Sequence, residues 1–140
     1  MSYTIDRLEI GQKATFSKTL SESDVYLFAG ISGDLNPAHI NEELSKKSLF
    51  KTRIVHGALT SSLISTVLGM TLPGNGTIFI ENNVKFKKPV YFNDTITAEV
   101  EVVEILLEKN IVKFNTRCLN QKDEVVVEGN AVVMPPRKEW

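Results

Sequence analysis

A chain of 140 residues has the length of one domain and can bury a sizeable core without disulfide or metal staples. Its hydrophobic fraction of 42% and charged fraction of 24% are ordinary for a globular protein and disfavour disordered and membrane-spanning classes. The formal net charge of -1, with lysines spread along the chain, argues against nucleic-acid or membrane-surface binding driven by bulk charge.

Met1 to Gly11 mixes Asp6, Arg7 and Glu9 with isolated apolar residues and lacks the apolar stretch of a secretion signal. No apolar run anywhere is long enough to span a bilayer. A cytoplasmic protein with a single domain over residues 1–140 is therefore expected. Gln12 to Leu20 reads as a first strand. Ser21 is then placed as a helix N-cap with Asp24 three residues on, opening a helix through Val25, Tyr26, Phe28 and Ala29 that should stop near Gly30 to Gly33. In Asp34-Leu35-Asn36-Pro37-Ala38-His39, Pro37 extends the residue before it and favours the first helical position, and Asn36 is a good cap. The spacing predicts a helix from Pro37 to about Leu49, with His39 in its first turn.

Gly57 to Leu72 contains no charged residue. Leu59, Leu63 and Val67 recur every four residues, as do Ile64 and Leu68, so a helix buried all round is expected. Its serines and threonines are tolerable because their hydroxyls can bond back to carbonyls one turn earlier. The second half alternates instead. Thr77 to Lys87 is one strand, and Ile96, Ala98, Val100 and Val102 form the apolar face of the next. Parity then changes to Val103, Ile105 and Leu107, the mark of a β-bulge. Turns at Glu108-Lys109-Asn110 and Asn120 to Asp123 lead into two further strands, through Val112 to Cys118 and Val125 to Val133. Cys118 is the one cysteine, so no intrachain disulfide or cysteine-based metal cluster can form, and its place in an alternating strand makes it a core residue. Four strands in an antiparallel meander, joined by the early strand, and one apolar helix on the concave face define an α+β fold. The open edge of such a sheet is normally paired or protected, and a dimer joining two sheets would do this.

Asp34 and His39, five residues apart, would point about 140° apart on a continuous helix. The Asn36-Pro37 turn breaks that geometry and lets both converge on one point. A histidine in the first helical turn also feels the positive end of the helix dipole, which favours neutral imidazole. Spacing alone leaves two readings open: an acid–base pair, or turn and cap residues beside a surface histidine. At His56-Gly57, the glycine N–H at the head of the apolar helix is an unpaired donor suited to an anion or a developing oxyanion. The alternative is that Gly57 only permits close packing and His56 is structural. Lys85, Lys87 and Lys88 precede Pro89 and read either as a solvated strand end or as contacts for coenzyme phosphates. No phosphate-cradling glycine loop, GxSxG or HExxH is present, and two histidines without a carboxylate cluster make no case for a metal.

Phe28-Ala29, Gly33-Asp34-Leu35-Asn36-Pro37-Ala38-His39 and Ile54-Val55-His56-Gly57 together resemble the MaoC-like, (R)-specific enoyl-CoA hydratases of the hot-dog fold. Pro73-Gly74-Asn75-Gly76-Thr77, Phe86-Lys87-Lys88-Pro89-Val90 and Asp94 extend the resemblance over nearly the whole chain. The resemblance implies a sheet wrapped around a long central helix, a homodimer with its site near the interface, and an acyl-CoA substrate. It implies Asp34 and His39 as the catalytic pair, with Asn36, Gly57 and Ser65 binding substrate and the Gly57 N–H meeting the thioester oxygen. No cofactor is expected, because coenzyme A belongs to the substrate. Adding water to an enoyl thioester needs water deprotonated, the α-carbon protonated and the enolate oxygen stabilised, which such a pair and such a donor supply. A hot-dog thioesterase, or a dehydratase of the other hot-dog type, would be expected to carry a carboxylate on the central helix, and Gly57 to Leu72 has none. A non-catalytic acyl-binding module would have no need of an acid–base pair.

Overall fold

A computed structural model describes residues 1–140. Strand β1 (Lys13–Thr19) is followed by helix α1 (Glu22–Ser32), two single-turn helices α2 (Pro37–Ile40) and α3 (Glu42–Ser45), and the long helix α4 (Gly57–Met70). Strands β2 (Ile78–Phe86), β3 (Thr95–Leu106), β4 (Ile111–Leu119) and β5 (Val125–Met134) complete the chain. Every strand pair is antiparallel, in the order β1-β3-β4-β5-β2.

The start of α1 follows its sequence signal. Ser21 and Asp24 form a reciprocal capping box, and Gly33 ends the helix in the left-handed region at φ 80°. The expected helix from Pro37 to Leu49 does not form as one piece. Asn41 adopts an extended conformation, closes α2, and its side chain caps the amide of Leu44 at 3.1 Å to open α3. An asparagine that caps a new helix outcompetes continuation of the old one.

The meander also needs correction. Only β3, β4 and β5 follow one another in space, because β2 crosses to the far edge beside β5 and leaves β3 next to β1. The segment between β2 and β3 carries Pro89 and passes under the head of α4, where the Val55 amide donates to the Val90 carbonyl at 2.8 Å and Ile54 bridges Tyr91. A connection that runs under a helix end cannot also be a tight hairpin. Gly129 lets β2 close on β5, since a Cβ there would collide with the Asn83 carbonyl oxygen. The bulge falls where the change of parity put it, between Val102 and Glu104.

The core lies between α4 and the concave sheet face. Ile64, Val67 and Leu68 are fully buried against Ile96, Val100, Phe114 and Val133, among others. Cys118 is fully buried among them, and burial pushes its thiol up to about 12. The helix is not buried all round: Ala58, Ser62 and Ser65 form an exposed, uncharged stripe. Several hydroxyls do bond backwards as expected, Thr60 to His56 and Ser61 to Ala58. No helix is long and apolar enough to cross a membrane.

Arg53 ties the helical excursion to the sheet. Its guanidinium reaches Glu22 of α1 at 2.8 Å, Glu42 of α3 at 3.2 Å and the Tyr26 hydroxyl at 2.7 Å, and lies over the Phe92 ring at 4.8 Å. The Tyr26 hydroxyl in turn donates to the Ile40 carbonyl at the end of α2. These partners are partly exposed, so solvent screens them, and Arg53→Met is expected to cost about 1–2 kcal/mol. A thermal melt should show this as a drop of roughly 5 °C with the far-ultraviolet circular dichroism of the folded chain unchanged.

Candidate active site

The segment between α1 and α2 is irregular, yet almost every polar group in it is assigned. The Asp34 amide donates to Ser32 Oγ at 3.1 Å, and the Asn36 amide to Asp34 Oδ1 at 3.3 Å. Asn36 Oδ1 accepts from the Ala38 amide at 3.0 Å, so this residue is the cap expected of it and its side-chain NH₂ stays free. The Asp34 carbonyl accepts from Nε2 of His56 at 3.0 Å. These bonds fold the segment so that Asp34 is exposed while His39, five residues on, is buried.

His39 donates from Nδ1 to the Ile54 carbonyl at 2.7 Å, which leaves Nε2 with a free lone pair in the neutral ring. Burial of the imidazole pulls its pKa below the ordinary value. The Ile54 bond and the Asp34 charge oppose that pull, and neighbouring His56 adds to it. The direction matches the sequence expectation but the cause differs: α2 is a single turn with little dipole, and desolvation does the work. The His39 and His56 rings stack at 3.8 Å and 24°, and Phe28 meets His56 edge-on at 4.9 Å.

A carboxylate oxygen of Asp34 and ring nitrogens of His39 and His56 lie within 4.8 Å of one another. One water can bridge such a gap, since two hydrogen bonds of about 2.8 Å at a tetrahedral angle span roughly 4.6 Å. The same three side chains are the grouping closest to a metal-ligand set. His39 Nδ1 and His56 Nε2 are each taken up by a backbone carbonyl, so each ring has one nitrogen left for other partners.

Gly57 begins α4 immediately after His56, and no side chain caps this helix. The Gly57 amide has no hydrogen-bond partner in the chain, so a donor backed by a fourteen-residue helix faces outward. A Cβ on Gly57 would come within 2.8 Å of the Phe86 ring. Both residues line a cavity of about 550 Å³ whose walls include Phe50, Ile54, Val55 and Val90, with Lys87 and Lys88 on its lining. Asp34 and His39 do not line it, but Ile54, the acceptor of the His39 bond, does. Lys87 pairs with Glu128 at 3.5 Å and Lys88 with Glu124 at 2.6 Å. Lys85 lies apart from this cavity, in a polar groove with Asn83 and Glu128.

The structure thus gathers Asp34, Asn36, His39 and Gly57 around one end of α4. Ser65 stands eight residues further along, roughly 12 Å up the axis. It is exposed, and its hydroxyl makes no hydrogen bond within the chain. Sequence reasoning gave His56 a packing role only; its contact with both Asp34 and His39 depends on folding. Its one sequence signal was a histidine at the head of a charge-free helix.

An antiparallel sheet wrapped around one long helix, with Asp34, His39 and His56 grouped beside the helix head, defines a hot-dog protein. Residues 7–128 match the family described as MaoC like domain, and the chain belongs to that family. It is 51% identical to an (R)-specific enoyl-CoA hydratase of Rhodospirillum rubrum, over 91% of this chain and 88% of that protein. It is 42% identical to a 3-hydroxybutyryl-CoA dehydratase of Methylorubrum extorquens, over 94% and 83% of the two chains. Among solved structures, the R-hydratase PhaJ1 of Pseudomonas aeruginosa superposes with a TM-score of 0.92 at 40% identity, covering 98% of this chain and 88% of that one.

With a folded pKa below the unfolded value of about 6.5, His39 takes up its proton more readily in the unfolded chain. Its contribution to stability is therefore complete above about pH 6.5 and is lost as pH falls toward the folded pKa. An NMR titration of the His39 ring should place its midpoint below that of a histidine in an unfolded peptide.

Proposed function

We propose that the chain adds water reversibly across the double bond of trans-2-enoyl-CoA to give (R)-3-hydroxyacyl-CoA. The observation that carries this reading is the convergence of Asp34 and His39, within one water's reach, beside the unpaired Gly57 N–H at an apolar cavity. The names of the hydratase and dehydratase relatives support the reaction class and its (R) outcome. The chain is accordingly a hydro-lyase.

In the proposed step, one water lies between the Asp34 carboxylate and His39 Nε2. One member of the pair removes a proton as the water oxygen bonds to C3 and the double-bond electrons move toward the thioester oxygen. The Gly57 N–H stabilises the negative charge on that oxygen, as a helix-end donor held in place before the reaction begins. The pair then returns a proton to C2, so H and OH have added across the bond and both groups regain their starting states. Asn36 offers its free amide NH₂ to substrate, and Ser65 stands beside the acyl path. Catalysis by His39 requires the neutral ring, which its burial favours.

We further propose that two copies join to complete the assembly. Strand β2 is a sheet edge with Ile78 and Ile80 exposed, and the uncovered stripe of α4 carries no charge. Light scattering at micromolar concentration should give twice the chain mass of 15.6 kDa, and a monomer would remove this part of the reading.

Crotonyl-CoA incubated with the protein should lose its conjugated-enoyl absorbance. Asp34→Asn keeps the acceptor for the Asn36 amide while removing the charge, and should lower kcat about 10²–10⁴-fold, as should His39→Gln. Wild-type protein without hydration, or Asp34→Asn with full activity, would sink the proposal. Release of free thiol instead would indicate a thioesterase.

A further inference from the structure

We infer that His56 is a positioning residue, holding the Asp34 segment by its Nε2–H and the His39 ring by its face, so that both keep register with the Gly57 N–H. The inference rests on the hydratase reading of the site. Each half of the pair alone is weakly held. Asp34 belongs to neither a helix nor a strand, and its peptide is fixed toward the core only by the 3.0 Å bond from His56 to its carbonyl. His39 makes one side-chain hydrogen bond, to Ile54, and a ring on one bond can still swing about it. The stacked face of His56 at 3.8 Å blocks that swing and fixes the plane of the His39 ring.

His56 can do this because it is itself immobilised. It is 1% exposed, its other contact is the edge of Phe28, and its carbonyl accepts from both the amide and the hydroxyl of Thr60 in the first turn of α4. One residue thus joins α1, the Asp34 segment, α2 and the head of α4. The bond to Asp34 also fixes the tautomer: with the proton on Nε2, the neutral ring leaves Nδ1 bare, and Nδ1 is buried with no partner. A second proton there would face no acceptor and would lie against His39. His56 is therefore no proton relay and acts through its neighbours.

Two variants separate this role from mere packing. His56→Phe keeps a ring against Phe28 and His39 but removes the N–H; His56→Gln keeps an amide donor within reach of the Asp34 carbonyl. His56→Phe should lower kcat about 10–100-fold with KM changed less than about threefold, the scale expected when an orienting partner is lost. His56→Gln, which restores the donor to Asp34 but not the ring face on His39, should recover part of that loss. Long-range ¹H–¹⁵N NMR of the unaltered protein should show the His56 ring proton on Nε2. Hydrogen exchange should show the amides of residues 34–38 opening faster in His56→Phe. A kcat within twofold of wild type for a folded His56→Phe, or an Nδ1–H tautomer, would overturn the inference. If His56→Phe does not fold, the tautomer and the His56→Gln kinetics decide it. If the wild type shows no hydration, the tautomer and exchange measurements still test the positioning, separately from the function.

Discussion

The unpaired amide at the head of α4 is the constraint around which the rest of the molecule is arranged. A helix whose sequence carries no charge must be sunk into the sheet, and Ile64, Val67 and Leu68 fix its axis against β3, β4 and β5. Once the axis is fixed, so is the position of the Gly57 N–H. Ordinary helix starts satisfy such donors with a Ser, Thr, Asp or Asn cap, as Ser21, Asn36 and Asn41 do elsewhere in this chain. His56 stands in the cap position of α4 without capping it, and turns its side chain to Asp34 instead. A stable fold would gain from a cap here, and the proposed reaction would need the donor left free.

The excursion from α1 to α3 brings Asp34 and His39 to the same end of the helix, where the proposed reaction needs them. Its short helices bury little of their own, with His39 the buried residue of α2 and Ser45 that of α3, so it depends on outside anchors. Arg53 supplies one at the outer side through Glu22, Glu42 and Tyr26, and His56 supplies the other at the inner side. Between these anchors Asp34 and His39 meet different environments. Asp34 stays at the surface, while His39 is buried, and burial lowers the pKa of its imidazole.

Much of this was legible in local sequence because much of it is local. The Ser21–Asp24 capping box, the Asn36 cap, the Gly57 helix start and the bulge beyond Val102 depend on residues within a few positions of each other, and the structure carries each one. The strand order was not legible, because β2 and β5 meet through a register of residues about fifty apart with no mark on either strand. The break at Asn41 was hidden for a different reason: the same asparagine is tolerable inside a helix and favourable at the start of the next, and only the pull of Arg53 on Glu42 and Ser45 on Pro37 decides between them. The convergence of Asp34 and His39 was legible as a possibility from the Asn36-Pro37 turn. Its depth was not, since the burial that sets the protonation of His39 comes from Ile54 and His56, more than a dozen residues away.

Gly57 is where packing and chemistry make the same demand. Any side chain there would strike the Phe86 ring, which closes the cavity over the helix head. The same side chain would stand beside the N–H that the thioester oxygen must reach in the proposed reaction. Phe86 itself is 56% exposed, so its ring is free to yield by rotation where backbone could not. Loss of the glycine would therefore displace the cavity wall before it unfolded the helix. In the proposed reaction the absence of a Cβ at this position would serve access to the donor more than stability of the fold, which would tie the floor of the cavity to the chemistry next to it.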